Sequence, residues 1–123
     1  MRAIWVGLAG FFGAVFRYWI DGWVSRVTGG GFPWGTFVVN MTGCFLIGFA
    51  TTILTERLRV HPIVRTAVTI GFIGAYTTFS TFAYESLRQL QDGAFGIALV
   101  NVAASVVGGI VAAWAGVVVG RAV

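Results

Sequence analysis

The sequence predicts an all-α membrane protein that crosses the bilayer with four transmembrane helices in a single domain, residues 1–123. Hydrophobic residues make up 58% of the chain and charged residues 10%, against roughly 25% charged residues in an ordinary soluble domain. So little charge does not cover a globular surface. Four apolar runs are also long enough to cross a hydrocarbon core, which takes about 20 residues.

The four runs are separated by three short links, each with the composition of a turn or loop. The links contain the sequences VTGGGFPWG, TERLRVHP and RQLQDG. In the second link His61 precedes Pro62, which suits the first turn of a helix, so we expect a surface or capping role for this histidine. The runs themselves cover residues 3–24, 37–54, 63–87 and 95–119.

The third run carries a polar patch at its centre, within the segment GFIGAYTTFSTF at residues 71–82. Ser and Thr side chains compete with the helix for main-chain hydrogen bonds, and glycine adds backbone freedom. At membrane depth such a patch is tolerated where it lines a cavity or is buried in protein. The segment is therefore predicted to be the centre of a permeation site. Its four hydroxyl residues are Thr77, Thr78, Ser80 and Thr81.

Neutral polar and aromatic residues extend this prediction. Asn40 in the second run either donates to a polar path or makes an interhelical hydrogen bond, because a carboxamide in hydrocarbon needs partners. Asn101 and Ser105, one turn apart in the fourth run, either continue the polar path or join helices. Phe79 and Phe82, three residues apart, share a helix face. Either their ring edges attract an anion weakly, or the two rings only face lipid or the core.

The charged residues favour a membrane orientation over a nucleic-acid partner. The net charge is +4, from eight arginines and no lysine, and the arginines are scattered near the ends of the runs. Five of them lie on the side of the two termini and three on the other side, which places the termini in the cytoplasm. Arg17 is expected to anchor at the interface and pair with Asp21 or Glu85; the alternative is a vestibule that attracts anions.

Catalytic patterns are not evident. The runs contain no central carboxylate, and no Ser, His and Asp set, Cys and His pair or phosphate-binding loop is found, so an enzyme is not expected. Cys44, the single cysteine, is interpreted as a buried small hydrophobe. Small residues at four-residue spacing in the fourth run predict a close helix contact. They are Ala104, Gly108, Ala112, Gly116 and Gly120.

Three segments resemble the Fluc (CrcB) fluoride channels of microbes, and the resemblance covers essentially all 123 residues. They read GFFGAVFRY at 10–18, GTFVVNMTGCFLIG at 35–48 and GFIGAYTTFSTFAYE at 71–85. The resemblance implies an antiparallel homodimer of dual topology with two narrow fluoride pathways and a third helix broken near its middle. It also implies a structural sodium ion at the dimer centre, held by main-chain carbonyls that match Gly74 and Thr77.

The same resemblance implies which side chains meet the ion. Asn101 departs from it, because such channels often carry a tyrosine at that place. The residues implied to line the fluoride pathways are Asn40, Phe79, Phe82 and Ser105, with Ser80 and Thr81 as further donors.

Together these features predict a passive, fluoride-selective channel in the bacterial inner membrane that exports cytoplasmic fluoride and relieves its toxicity. A small proton-coupled four-span efflux transporter is the main alternative, but it needs an acid embedded in the first run, and none lies between residues 3 and 15. A subunit that only packs against others is the second alternative. The concentrated hydroxyls of residues 77–81 argue against it.

Overall fold

The computed structural model describes residues 1–123 and consists of helices joined by short turns, with no strand. The predicted all-helical class is therefore confirmed. The helix over residues 62–76 changes from α to π geometry over Ala67–Ile73 and returns to α geometry before it ends. The five helices are α1 (Arg2–Thr28), α2 (Trp34–Arg57), α3 (62–76), α4 (Phe79–Gln91) and α5 (Phe95–Ala122).

Three of these helices, α1, α2 and α5, are long and apolar enough to cross a membrane. They contain 27, 24 and 28 residues with mean hydropathies of 1.5, 1.8 and 2.2. The predicted apolar runs 3–24, 37–54 and 95–119 lie within them. Many of their large apolar side chains are exposed on the outside of the chain, where lipid or another membrane protein would cover them.

The predicted run 63–87 forms two helices, α3 and α4, instead of one continuous helix. Between them Thr77 and Thr78 are extended, with ψ angles of 160° and 111°. Thr78 is the N-cap of helix α4, because its hydroxyl accepts the N–H of Thr81 at 3.2 Å. This side-chain cap starts a new helix directly after the extended residues. We call Thr77 and Thr78 the break.

The remaining helix ends follow local chemistry. His61 Nδ1 accepts the N–H of Ile63 at 3.2 Å and Pro62 opens α3, which confirms the predicted capping role. Gly29 ends α1 with a φ angle of 73°, a left-handed conformation that glycine adopts without steric cost.

Helix α2 packs along α5, and glycines bring their main chains together. A methyl group on Gly48 would overlap the main-chain oxygen of Ala113, and one on Gly116 would overlap that of Phe45. Small residues of this kind permit close approach where lipid removes the hydrophobic driving force between helices. The close contact predicted from the fourth run is thus confirmed. We define the glycine seam as Gly48, Gly109, Gly116 and Gly120, all of which are buried.

Candidate functional site

The break leaves main-chain carbonyls without their usual helical partners. No main-chain N–H donates to the carbonyls of residues 74–77. The Gly74 oxygen accepts only the Thr77 hydroxyl, at 3.5 Å. The Thr77 oxygen accepts only Arg17 Nη1, at 3.4 Å. Both bonds are long, so these oxygens keep lone pairs for further partners.

Asn40 of α2 holds the break through both ends of its carboxamide. Its Nδ2 donates to the Thr78 oxygen at 2.9 Å, and its Oδ1 accepts the Thr78 N–H at 2.8 Å. Thr78 is buried, so without Asn40 this donor and acceptor would stand unpaired in an apolar surrounding. One N–H of the carboxamide is not used by these bonds. The interhelical hydrogen bond weighed for Asn40 is therefore present.

Two further α2 residues contact the end of α3. The Thr42 hydroxyl lies 2.8 Å from the hydroxyl of buried Tyr76. Because Thr42 gives its own hydrogen to the Val38 oxygen, at 2.8 Å, the tyrosine is the donor of this pair. Gly43 faces the Thr77 methyl group, and a side chain at Gly43 would overlap it. Helix α2 thus contacts three consecutive residues: Tyr76, just before the break, and Thr77 and Thr78, which form it.

A cavity of about 380 Å³ lies at the break, between α2, α3, α4 and α5. No charged side chain lines it. Its polar groups come from an amide, hydroxyls and the main chain, and the rest of its wall is apolar. Among its lining residues are Asn40, Gly43, Cys44, Gly74, Thr77, Thr78, Phe79, Phe82 and Ser105.

The two phenylalanines of the cavity differ in exposure. Their ring centroids are 5.7 Å apart and their planes are tilted by 57°. Phe82 is 9% exposed and belongs to the core, whereas Phe79 is 78% exposed within the single chain. The cavity therefore has one fixed aromatic wall and one that projects from the molecule.

A second, more polar cavity of about 220 Å³ lies on the other side of the break, against α1. Arg17, Asp21, Thr36, Thr78 and Thr81 are among its lining residues. The two cavities have Thr78 in common.

The predicted ion pair of Arg17 with Asp21 or Glu85 is wrong. Arg17 donates to the freed Thr77 carbonyl instead. Asp21 packs against Gly35 and accepts the Ser25 hydroxyl at 3.4 Å. The one ion pair of the chain lies elsewhere, at the ends of α2 and α5. The Thr77 carbonyl has no main-chain partner and competes with Asp21, one helical turn away, for the Arg17 guanidinium. The sequence alone does not show that this carbonyl is free.

The structure brings most of the predicted site residues together. Ser80 is exposed and lies outside both cavities, and Thr81 lines the second cavity. Sequence reasoning missed Thr42 and Tyr76, whose partners are on different helices. The nearness of Tyr76 to the hydroxyl-rich segment is the one signal that could have indicated it. The predicted residues that share the first cavity are Asn40, Gly74, Thr77, Phe79, Phe82 and Ser105.

The chain has no cluster of three or more His, Cys, Asp or Glu side chains that could hold a metal ion. A cation at the break would therefore be bound by main-chain oxygens. The Gly74 carbonyl fits that use, because its one hydrogen bond is long. Thr77 fits less fully, because the positive Arg17 already contacts its oxygen.

Comparison with known proteins defines the class of this chain. A family model described as "CrcB-like protein, Camphor Resistance (CrcB)" matches residues 4–117. The chain therefore belongs to the CrcB family, and the resemblance noted in three segments is confirmed. Together with its three long apolar helices, this membership identifies a multi-pass membrane protein.

Individual relatives match almost the whole chain. One from Acidobacterium capsulatum is 49% identical over 121 residues, 98% of this chain and 97% of the relative. One from Citrifermentans bemidjiense is 44% identical over 121 residues, 98% of both chains. One from Solibacter usitatus is 44% identical over 121 residues, 98% of this chain and 99% of the relative. All three are named "Fluoride-specific ion channel FluC".

Proposed function

We propose that this chain forms a passive, fluoride-selective channel in the bacterial inner membrane. The observation that carries the proposal is the cavity at the break, which combines an amide, hydroxyls and two phenylalanine rings with no charged side chain. The names of relatives at 43–49% identity support the same function. They are named ion channels, a class distinct from enzymes, and they do not favour a proton-coupled transporter.

A neutral lining suits the transport of a small, strongly hydrated anion. A pore must replace lost water with hydrogen-bond donors and still release the ion. The free N–H of Asn40 and the Ser105 hydroxyl supply donors, and the positive ring edges of Phe79 and Phe82 add weak attraction. The polar cavity around Arg17 serves as the approach: the Arg17 guanidinium attracts anions, and the Asp21 carboxylate in the same lining opposes that attraction.

We further propose that α3 and α4 together make one broken membrane span, so that the chain crosses the membrane four times. The partner is a second, antiparallel copy in a dual-topology homodimer. The exposure of Phe79 and Gly74 beside the cavity supports a partner at this face. The distribution of five arginines against three is a modest bias, although it is larger than perfectly dual insertion would give.

A structural sodium ion at the dimer centre completes the proposal. The Gly74 and Thr77 carbonyls of the two copies would hold it, since unwound main-chain carbonyls bind sodium in broken membrane helices. The bound cation supplies positive charge that offsets the cost of an anion at membrane depth. The chain itself contributes only the freed oxygens and the extended backbone that presents them.

The physiological role follows from acid–base chemistry. Hydrogen fluoride crosses a membrane as a neutral weak acid and ionises in the more alkaline cytoplasm. The trapped anion then leaves through the channel down its electrochemical gradient, assisted by the negative interior. No energy coupling is required.

Flux from liposomes tests this function. The purified protein is reconstituted in vesicles that contain potassium fluoride at neutral pH, and external fluoride is read with a fluoride electrode. We expect fluoride efflux only after valinomycin opens a path for potassium, and no chloride efflux, read with a chloride electrode, from matched vesicles that contain potassium chloride. A flat trace with fluoride would overturn the proposal, and efflux that needs no valinomycin but follows a proton gradient would support a transporter.

The aromatic residues provide the residue-level test. Phe79→Ile and Phe82→Ile should each lower fluoride flux about tenfold or more, because each loses an aromatic contact worth about 1 kcal/mol and its ring edge. The dimer should persist on size-exclusion chromatography. Phe11→Ile is the matched control, since Phe11 also stands in an exposed aromatic pair but lines neither cavity. Unchanged flux in both cavity variants would remove Phe79 and Phe82 from the pathway.

A further inference from the structure

A buried hydrogen-bond chain connects the two helices that wall the first cavity on its α4 and α5 sides. Asn101 is 1% exposed, and its Nδ2 donates to Ser86 Oγ at 3.0 Å. Ser86 is buried and donates its hydroxyl hydrogen to the Phe82 oxygen at 2.8 Å. At the other end Ser105 Oγ donates to Asn101 Oδ1 at 3.4 Å.

The two hydroxyl hydrogens of this chain are assigned by counting. The single Ser86 hydrogen is given to Phe82, so its oxygen is an acceptor for Asn101. The single Ser105 hydrogen is given to Asn101. In this arrangement Ser105 offers the cavity only lone pairs, which repel an anion.

The length of the last bond resolves this conflict. At 3.4 Å the Ser105 bond to Asn101 is long and weak, whereas the bonds at Ser86 have ordinary lengths. The Ser105 hydroxyl can therefore rotate from Asn101 to an ion in the cavity and return when the ion leaves. Asn101 itself lies outside the cavity lining.

We propose that Asn101 is a positioning residue, which holds the Ser105 hydroxyl as an exchangeable donor and, through Ser86, fixes the main chain of Phe82. The proposal rests on the proposed fluoride-channel function and deepens it. It assigns Asn101 and Ser86 a role in ion passage through their contacts with two lining residues, without contact between either of them and the ion.

The test measures coupling between these residues in fluoride-loaded vesicles. Asn101→Leu keeps the branched shape of the side chain and removes both bonds. We expect its fluoride flux to fall about fivefold to tenfold, the effect of one or two lost hydrogen bonds. Combined with Ser105→Ala, it should lower flux by less than the product of the two single effects, because one of its two bonds acts through that hydroxyl. The concentration for half-maximal flux should shift together with the rate.

Ser86→Ala provides a second arm that does not depend on the folding of the Asn101 variant. It removes one buried hydroxyl and should lower flux severalfold. Combined with Asn101→Leu, it should lower flux by less than the product of the two single effects, because Asn101 acts on Phe82 through Ser86. Thr52→Val is its matched control, because Thr52 is equally buried and donates to the carbonyl four residues earlier, at 2.9 Å, far from the cavity. The control should retain wild-type flux.

The outcomes separate this proposal from the channel function. A wild-type protein without fluoride flux overturns the function and this proposal with it. An active wild type in which Asn101→Leu or Ser86→Ala retains full flux, or in which the effect of Asn101→Leu multiplies fully with that of Ser105→Ala or of Ser86→Ala, overturns the positioning role alone. Non-additive losses support it.

Discussion

The glycine seam and the break hold the chain together by opposite means. In the seam, α2 and α5 approach until main-chain atoms touch, and no side chain larger than hydrogen fits at Gly48 or Gly116. At the break, the main chain has lost its helical bonds, and side chains of α2 replace them. Helix α2 takes part in both regions, with its first half at the break and its second half in the seam.

The difference shows what each region requires from the sequence. The seam depends on the absence of side chains, so a larger residue is the damaging change. The break depends on particular polar groups at particular distances, so a smaller or apolar residue is the damaging change. A region that must present polar groups to an ion cannot be held by tight apolar packing alone.

The largest effect on stability is expected when the break loses both hydrogen bonds between the Asn40 side chain and the Thr78 main chain. Asn40→Leu leaves the N–H and the oxygen of buried Thr78 without partners, and each orphan costs about 1–3 kcal/mol. We expect the free energy of unfolding in detergent to fall by about 4 kcal/mol and the Thr78 amide to exchange with deuterium much faster. Thr69→Val, which removes only a bond within its own helix, is the control. Equal stability of the two variants would contradict the role of Asn40.

A methyl group in the seam comes next. Gly116→Ala would overlap the Phe45 oxygen, and we expect a loss of about 1–3 kcal/mol, the usual range for overpacking. Gly96→Ala on the same helix meets no atom within 4 Å and should be neutral or slightly stabilising. Unfolding titrations of both variants in mixed micelles make the comparison. If Gly116→Ala matched Gly96→Ala, the seam would not be close-packed.

A single bond at the edge of the break should have a smaller effect. Tyr76→Phe removes the donor to Thr42 but keeps the buried ring, so we expect a loss of about 1 kcal/mol. Thermal unfolding of this variant beside Tyr18→Phe, an exposed tyrosine without a hydrogen bond in the chain, gives the measurement. No difference between the two would exclude this hydroxyl from holding the break.

The smallest effect belongs to the ion pair beyond the end of the seam. Arg121 Nη2 lies 3.2 Å from Glu56 Oε1, with side chains 64% and 47% exposed. Exposed pairs of this kind contribute little and are screened by salt. Glu56→Gln should therefore change stability less than Tyr76→Phe does, and high salt should abolish the difference from wild type. A loss larger than that of Tyr76→Phe, and one that high salt diminishes, would show that electrostatics and not packing holds this end of α2 to α5.

Much of the fold was predictable because hydropathy is a local property. The three long helices follow from apolar runs that the sequence states directly. The break lies within residues 71–82, whose hydroxyls and glycines mark the segment as helix-weakening, although a broken helix was expected only from the family resemblance. The packing of α5 followed from its small-residue spacing. The mistaken pair of Arg17 with an acid shows the limit, since its true partner is a carbonyl freed by the break.

The sequence alone determined the class of the molecule, its membrane spans of apolar residues and the segment in which helical structure fails, because composition and spacing act along the chain. Only the tertiary structure decided which groups meet there. Asn40 joined to Thr78, Arg17 to Thr77 and Asn101 to Ser86 are pairs 15 to 60 residues apart. Such contacts depend on how the helices pack against one another, and no local sequence pattern specifies that packing.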